Sequence, residues 1–576
     1  MKNPIHLTVV TLLLAGSSLS AARHYVSLGS TNPTPPYTNW ATAARTIEQA
    51  LDSAAAGDEV VVTNGVYAGG LAMTNPVTLR SVNGQQFTII NGGRTNRCAS
   101  LTNGASLTGF TLLNGHAPDG GGVWCTSTNA FLTNCVIAAN RADHCGGGVH
   151  GGNLYNCTLS GNSASYGGGT CGSVLYNCTL TGNRALGGGG GAYGDEDSPC
   201  RLYNCRLNDN STWDGGGGAD SCTLHNCTLD ANSADCYGGG ARGGTLYNCA
   251  LSGNWAGWGG GGVHGGILDN CTLADNSAEY YGGGACGGTL RNCTLTANSA
   301  WDGGGTCASI LYNCTLTGNS ANKGGGAYGD ENYPCTLCNC TLTGNSAGYG
   351  GGAFGHTLYN CIVYFNTASY GGANYYGSTL NYCCTTPLDP GGVGNITNAP
   401  LFVDTNGWSN PRLQTNSPCI NAGTNYYAPG STDLDGRPRI VGGTADMGAY
   451  EFQPGVGGAF IGWLQQYGLP TDGSADATDP DGDGHNNWQE WRCRTDPASA
   501  LSVLRLLSAS PAGTNVIVSW QSVAGVNYFL ERSTNLSATP PFTPLAVGIS
   551  GQPGTTSYTD TNAALAPRFF YRVGVQ

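Results

Sequence analysis

Charge is scarce in this 576-residue chain: Asp, Glu, Lys and Arg together make up 10% of it. The balance is acidic, -13 at pH 7, so the chain lacks the basic stripe that nucleic-acid binders carry. Beyond its first residues it also lacks any apolar run of the ~18 residues that a membrane-spanning helix needs. The 95 glycines do not recur at every third position and Pro stops at 25, which excludes a collagen-like chain. A single ordinary core cannot organise this length, so several domains or a repeat array is expected.

The first 22 residues read as a signal peptide. Lys2 supplies the positive start, residues 7–15 (LTVVTLLLA) the short apolar run, and Ser20-Ala21-Ala22 the small residues for cleavage. The mature chain is therefore expected outside the cell, secreted or on the cell surface, as a monomer. The 26 cysteines suit an oxidising compartment, but their placement argues that many are not in disulfides.

An Asn-Cys pair recurs eleven times, with cysteines from Cys135 to Cys361 at steps of 21 to 27 residues; Cys383 continues the series with Tyr382 before it. Five residues after each of the eleven cysteines stands another Asn, from Asn140 to Asn366. The nonapeptide LYNCTLTGN occurs twice, at 175–183 and 311–319, each copy trailed by GAYGDE, which points to a duplicated block of six coils. Within a unit, Leu lies three residues before the Cys and another apolar residue lies two after it. Strand side chains alternate with period two, so both can face inward only if the chain bends between them. The Asn before the Cys tolerates the left-handed conformation needed there. The second Asn and the Gly run are expected to supply the remaining corners.

Units of ~22 residues with short strands and tight corners are coils of an all-β parallel β-helix, a solenoid whose clearest span is 110–385. Equivalent residues then stack at ~4.8 Å. The Cys column becomes an interior packing ladder, and one Cys per coil does not make a thiolate metal site. Off the ladder, Cys286 with Cys307 and Cys200 with Cys222 occupy matching positions in adjacent coils. Their spacing lies within the ~4.4–6.8 Å that a disulfide spans. The Asn-Cys-Thr triplets match the N-glycosylation pattern, but at turn ladders they are read as structural.

Residues 24–66 contain TI-x-x-AL and AGD-x-V-x-V stretches with a helix expected around Ala43–Ala54. They resemble the N-terminal cap of secreted bacterial right-handed parallel β-helix proteins with the pectin-lyase fold. Residues 417–452, with SPCINAG, DLDGRPR and DMGAYE, are similar to the choice-of-anchor-type ending of the same proteins. The repeat alone also resembles that of chlamydial polymorphic outer-membrane proteins. The resemblance implies a capped β-helix: residues 23–66 form the cap and first coil, and residues 67–455 the solenoid. It implies no single activity, because the fold hosts lyases, hydrolases, epimerases and adhesins.

Residues 479–490 (DPDGDGHNNWQE) place Asp479, Asp481, Asp483, Asn487 and Glu490 at positions 1, 3, 5, 9 and 12 of a calcium loop. Gly484 makes the sharp turn and His485 offers its backbone carbonyl. Asn486 stands where an EF-hand wants an apolar residue, so a paired EF-hand is not expected. The stretch 456–500 resembles thrombospondin type 3-like linkers, which implies Ca2+ rigidifying a helical junction. Residues 501–576 alternate apolar and polar positions between turns and read as a sandwich similar to a fibronectin type III module.

For function, the informative residues are those that differ from the tile. Asp220, Arg242 and His264 fall on successive coils and form the candidate catalytic trio. Tyr237, Trp258, Tyr281, Trp213 and Trp301 lie just before or near the Gly runs and suit stacking on sugar rings. The acidic insertions at Asp195/Glu196 and Asp330/Glu331 are six coils apart, too far to share a ligand. The sequence therefore supports a secreted or surface β-helix with a structural, adhesive or glycan-binding role. The alternative is a polysaccharide-degrading enzyme, a lyase or glycoside hydrolase, working along the outer face.

Overall fold

The structure is a computed structural model. It describes residues 21–575 apart from 330–334, 405–409, 429, 442, 454–455, 471–474, 476–477, 535–541 and 562–568. The first 20 residues of the expected signal peptide lie outside the described residues. The chain forms two compact units: residues 1–399 with 421–450, and residues 400–420 with 451–576.

The first unit is a parallel β-solenoid. One coil shows the pattern: Asn153–Tyr155, Thr158–Ser160, Ser163–Tyr166 and Thr170–Cys171 are its four short strands. Each strand pairs in parallel with the same strand of the coil before and after. Stacked, the first strands make a sheet of 16, the second strands a sheet of 15, and the strands after the Gly runs a sheet of 14. The sheet before the Gly runs comes as 8 strands and then 3, linked through single bridges at Ser277–Ser299 and Ser299–Ser320.

The expected bend is at the residue before each ladder cysteine. The eleven asparagines there, Asn134 to Asn360, have φ between 51° and 54°. With the bend in place, Leu154 and Leu159 both point inward at 0% exposure. A fully buried Leu is worth ~1.5–3 kcal/mol, and each coil supplies about two. The cysteines form the expected interior ladder. The Cys157 N–H donates to Cys178 Sγ at 3.4 Å, and the Cys178 thiol donates to Tyr176 O at 3.3 Å. The outer asparagines bond coil to coil as well, as in Asn226 Nδ2 to Asn204 Oδ1 at 3.2 Å.

Two expectations are corrected. The second Asn is not itself the corner. The left-handed residue comes one position earlier (Gly161 φ 60°, Ala231 φ 51°, Asp275 φ 54°), and the Asn turns inward and is buried. There Asn254 Oδ1 accepts from both the backbone N–H and the Nδ2 of Asn232, at 2.9 and 3.0 Å. Asn254 Nδ2 donates to Leu229 O and to Asn276 Oδ1, at 2.9 and 2.8 Å.

The Gly runs are likewise more than corners. In each coil, consecutive backbone N–H groups all donate to the next coil: Gly238 to Gly259, Gly239 to Gly260, Gly240 to Gly261 and Ala241 to Gly262. An ordinary parallel strand alternates its donors between its two neighbours. This one-sided ladder brings peptide planes so close that a Cβ on Gly240 would meet Gly262 O at 2.6 Å, and Gly238 has φ +67°. Only glycine fits, which accounts for the composition.

The ends are closed differently. Helix α1 (Ile47–Ser53) starts four residues later than expected, because Thr46 and Gln49 form a capping box at that point. It buries Ile47, Ala50 and Leu51. Near the last coils, residues 421–450 run beside the outer Asn corners. Asn313, Asn339 and Asn360 donate to the carbonyls of Thr432, Tyr427 and Thr424 at 2.8–3.0 Å. Among the described residues no helix is long and apolar enough to cross a membrane.

The second unit holds helices α2 (Val456–Gln466) and α3 (Asn487–Cys493) and two three-stranded antiparallel sheets. Val518 and Trp520 of one sheet and Tyr528 and Leu530 of the other share one core, as expected for a sandwich.

Candidate ligand face and calcium loop

One geometric rule governs the corner around the Gly runs. The last residue before a run, in one coil, meets the second strand residue after the run in the next coil. Tyr166 packs on Tyr193 (ring centroids 5.1 Å), Tyr237 on His264 (4.6 Å) and Tyr349 on Tyr376 (5.5 Å). Lys323 Nζ lies 5.7 Å from the Phe354 ring. At the same diagonal, Cys145 and Cys171 form a disulfide with Cα atoms 5.9 Å apart. Cys286, Cys307, Cys200 and Cys222, the pairs considered from sequence, are free thiols here.

Where glycine takes the first place on this diagonal, the partner side chain fills the space. Gly188 leaves room for the Asp220 carboxylate and Gly215 for the Arg242 side chain. Asp220, Arg242 and His264 are register neighbours, as their spacing requires. Arg242 Nε and Nη2 donate to Asp220 Oδ1 and Oδ2 at 3.2 and 2.6 Å, and Nη1 donates to Asp214 Oδ2 at 2.7 Å. Asp220 is buried, and burial raises its pKa against the pull of Arg242. Asp214, invisible as a partner in the sequence, belongs to this cluster; it stands one residue before Gly215, the diagonal partner of Arg242, and 28 residues before Arg242 itself.

Beside the cluster runs a row of exposed rings. Trp213 (64%), Tyr237 (37%), Trp258 (51%), Tyr281 (42%) and Trp301 (61%) come from five successive coils. Trp258 stacks on Tyr280 at 5.3 Å. Tyr237, Gly259 and Tyr281 follow one another in a single column, and at Gly259 the Cys286 side chain takes the space. Of the acidic insertions, Asp330 and Glu331 lie outside the described residues; Asp195 Oδ1 accepts from Ser198 N at 2.6 Å, closing its own loop.

In the second unit, the carboxylates of Asp479, Asp481 and Asp483 gather within 4.8 Å of one another. Asp479 accepts from the N–H groups of Gly482 and Gly484, at 2.8 and 2.9 Å, and Asp483 Oδ1 accepts from His485 N at 2.7 Å. Asn486 caps α3 in a reciprocal pair with Gln489, both bonds 2.9 Å, which explains the polar residue at position 8. Asp481 Oδ2, Asp483 Oδ2, Asn487 Oδ1 and both Glu490 carboxylate oxygens are buried without a hydrogen bond. Burial, then the charges of Asp481 and Asp483, push the Glu490 pKa up to about 7. Buried oxygens without donors fit a hard cation.

No family model matches the chain, and no curated protein matches it. Among solved structures it is similar to a mannuronic acid specific polysaccharide family 6 lyase from human gut microbiota: 10% identity, TM-score 0.28, 49% of this chain and 81% of that one. It is similar to a pectate lyase at 13% identity and TM-score 0.22, over 76% and 98%. It is also similar to the A-module of an Azotobacter vinelandii mannuronan C-5 epimerase at 13% and 0.25, over 56% and 85%. At these levels the likenesses assign no activity to this chain.

Proposed function

We propose that this protein is a secreted or cell-surface β-helix that binds an extended glycan along its row of exposed aromatics, without catalysis. The observation that carries the reading is the row itself: large exposed rings on five successive coils, from Trp213 to Trp301. Rings at a regular coil spacing can stack on successive sugars of a chain, and the polar groups beside them can hold hydroxyls. Arg242 is held by two carboxylates, which suits a rigid wall better than a group that must move a proton.

We further propose Ca2+ in the loop 479–490. Asp479, Asp481, Asp483, Asn487 and Glu490 would offer side-chain oxygens and His485 its carbonyl, and the ion would stiffen the junction before the fibronectin type III-like module.

Purified protein on a panel of acidic and neutral polysaccharides is expected to bind at least one. Trp258→Ala and Trp301→Ala should each weaken binding about tenfold, ~1.4 kcal/mol. No binding anywhere on the panel would remove the glycan reading. Ultraviolet-absorbing unsaturated product that vanishes in an Asp220/Arg242/His264 triple alanine variant would replace it with a lyase.

A further inference from the structure

Absence of a side chain at Gly259 leaves a thiol partly exposed. By the diagonal rule the partner of Gly259 is Cys286, and a Cβ on that glycine would lie 3.4 Å from Cys286 Sγ. The column neighbours of Gly259 are the half-exposed Tyr237 and Tyr281. Of the 24 free cysteines only Cys236 and Cys286 are not buried. Cys286 is in register with His264 on one side and Cys307 on the other. Neighbouring strands put the two cysteine backbones ~4.8 Å apart, inside the ~4.4–6.8 Å that a disulfide spans.

We propose that Cys286 and Cys307 are a redox-active pair that exchanges with small-molecule disulfides reaching the partly exposed Cys286, Cys286 attacking and Cys307 resolving. The Cys286 thiolate attacks one sulfur of the incoming disulfide, whose S–S bond breaks and whose other sulfur leaves as a thiolate. Cys307 then gives up its proton and attacks Cys286 Sγ, expelling the second thiolate. The incoming disulfide gains two electrons and becomes two thiols, while Cys286 and Cys307 lose two and become a disulfide.

The surroundings divide the roles. The Cys307 thiol and the His264 imidazole hold the Cys286 pKa well below the ordinary thiol range, against burial. Cys307 is shifted the opposite way, first by Cys286 and then by burial, so it waits as the protonated partner. The other titratable groups about the pair are Cys335 and Asp302, which act on Cys307, and Tyr281, which lies beside Gly259.

The test uses the full folded chain, reduced, desalted and treated with oxidised glutathione at pH 7, then mapped by peptide mass spectrometry. The expected result is a Cys286–Cys307 disulfide with Cys135, Cys157 and the rest of the interior ladder still reduced. Cys307→Ser should stop at a stable glutathione adduct on Cys286. His264→Ala should slow that adduct several-fold at pH 6 and little at pH 9, with circular dichroism unchanged. A native chain in which Cys286 stays unmodified, or carries glutathione without resolving onto Cys307, would overturn the proposal. So would a His264→Ala rate equal to wild type at both pH values.

Discussion

Asn254→Leu is expected to destabilise the middle of the solenoid by about 5 kcal/mol. The side chains are close in size, so the loss is one of hydrogen bonds. Leu at this position strands the Asn232 backbone N–H and the Leu229 carbonyl and takes from Asn232 Nδ2 one of its two acceptors, leaving it Leu207 O. Each orphaned buried group costs ~1–3 kcal/mol. A solenoid is coupled chiefly between neighbours, so the damage should stay local. Native-state hydrogen exchange should show the Asn232 amide and its adjoining coils opening first, with coils before Cys157 protected as in wild type. Ser252→Ala, on the same coil with an exposed hydroxyl bonded to Asp230, should cost under ~0.5 kcal/mol. Unchanged protection at Asn232 would show that the inner amide ladder contributes nothing.

Calcium should have the next largest effect. A saturating ion at 100 times its Kd stabilises by ~2.7 kcal/mol, and chelation should remove that from the second unit while leaving the solenoid transition in place. Glu490→Gln is expected to weaken calcium binding about 100-fold, since it removes the buried carboxylate that closes the loop. The sign of the pH dependence follows from Glu490. Its folded pKa is raised from 4.5 to about 7, so without calcium the folded form keeps a proton that the unfolded form has released. Stability of the calcium-free unit therefore falls as pH rises from about 4.5 to 7 and levels off above. Calcium affinity rises over the same window, because the ion competes with that proton. Calorimetry at pH 5 and 7.5, with calcium and with chelator, checks both. A melting profile indifferent to calcium at both pH values would remove the ion from the proposal.

The coil period, the bend at Asn156 and its equivalents, and the inward Leu and Cys columns were legible because each is a local constraint with a residue type that answers it. A spacing of three between inward residues demands a left-handed corner, and Asn supplies it. What stayed hidden were relations between coils. Cys286 and Cys307 hold equivalent positions in adjacent coils, a relation the repeat makes visible; the disulfide that forms is diagonal, Cys145 to Cys171. Asp214, one residue off that diagonal and 28 residues before Arg242, was hidden as well. The second corner, one residue before the inner Asn, stayed hidden because Gly161, Ala231 and Asp275 share no side-chain chemistry, only a backbone angle. The Gly runs looked like corners because glycine is common at corners; a demand for close peptide approach leaves the same letter.

Those runs have an electrical consequence. Each coil turns four successive N–H groups toward the next, from Gly120 through Ala353, so their peptide dipoles, ~3.5 D each, add along the axis instead of cancelling as in an ordinary sheet. The inner Asn amides point the same way. The carbonyl end of this macrodipole meets a cation: Arg97 donates from Nε to Gly120 O at 3.0 Å and from Nη2 to Asp119 O at 2.7 Å. At the far end, Gly372, Ala373 and Asn374 accept from the coil before them and no further coil of the run follows. The solenoid is thus polarised like a helix, and each coil added to it lengthens the dipole.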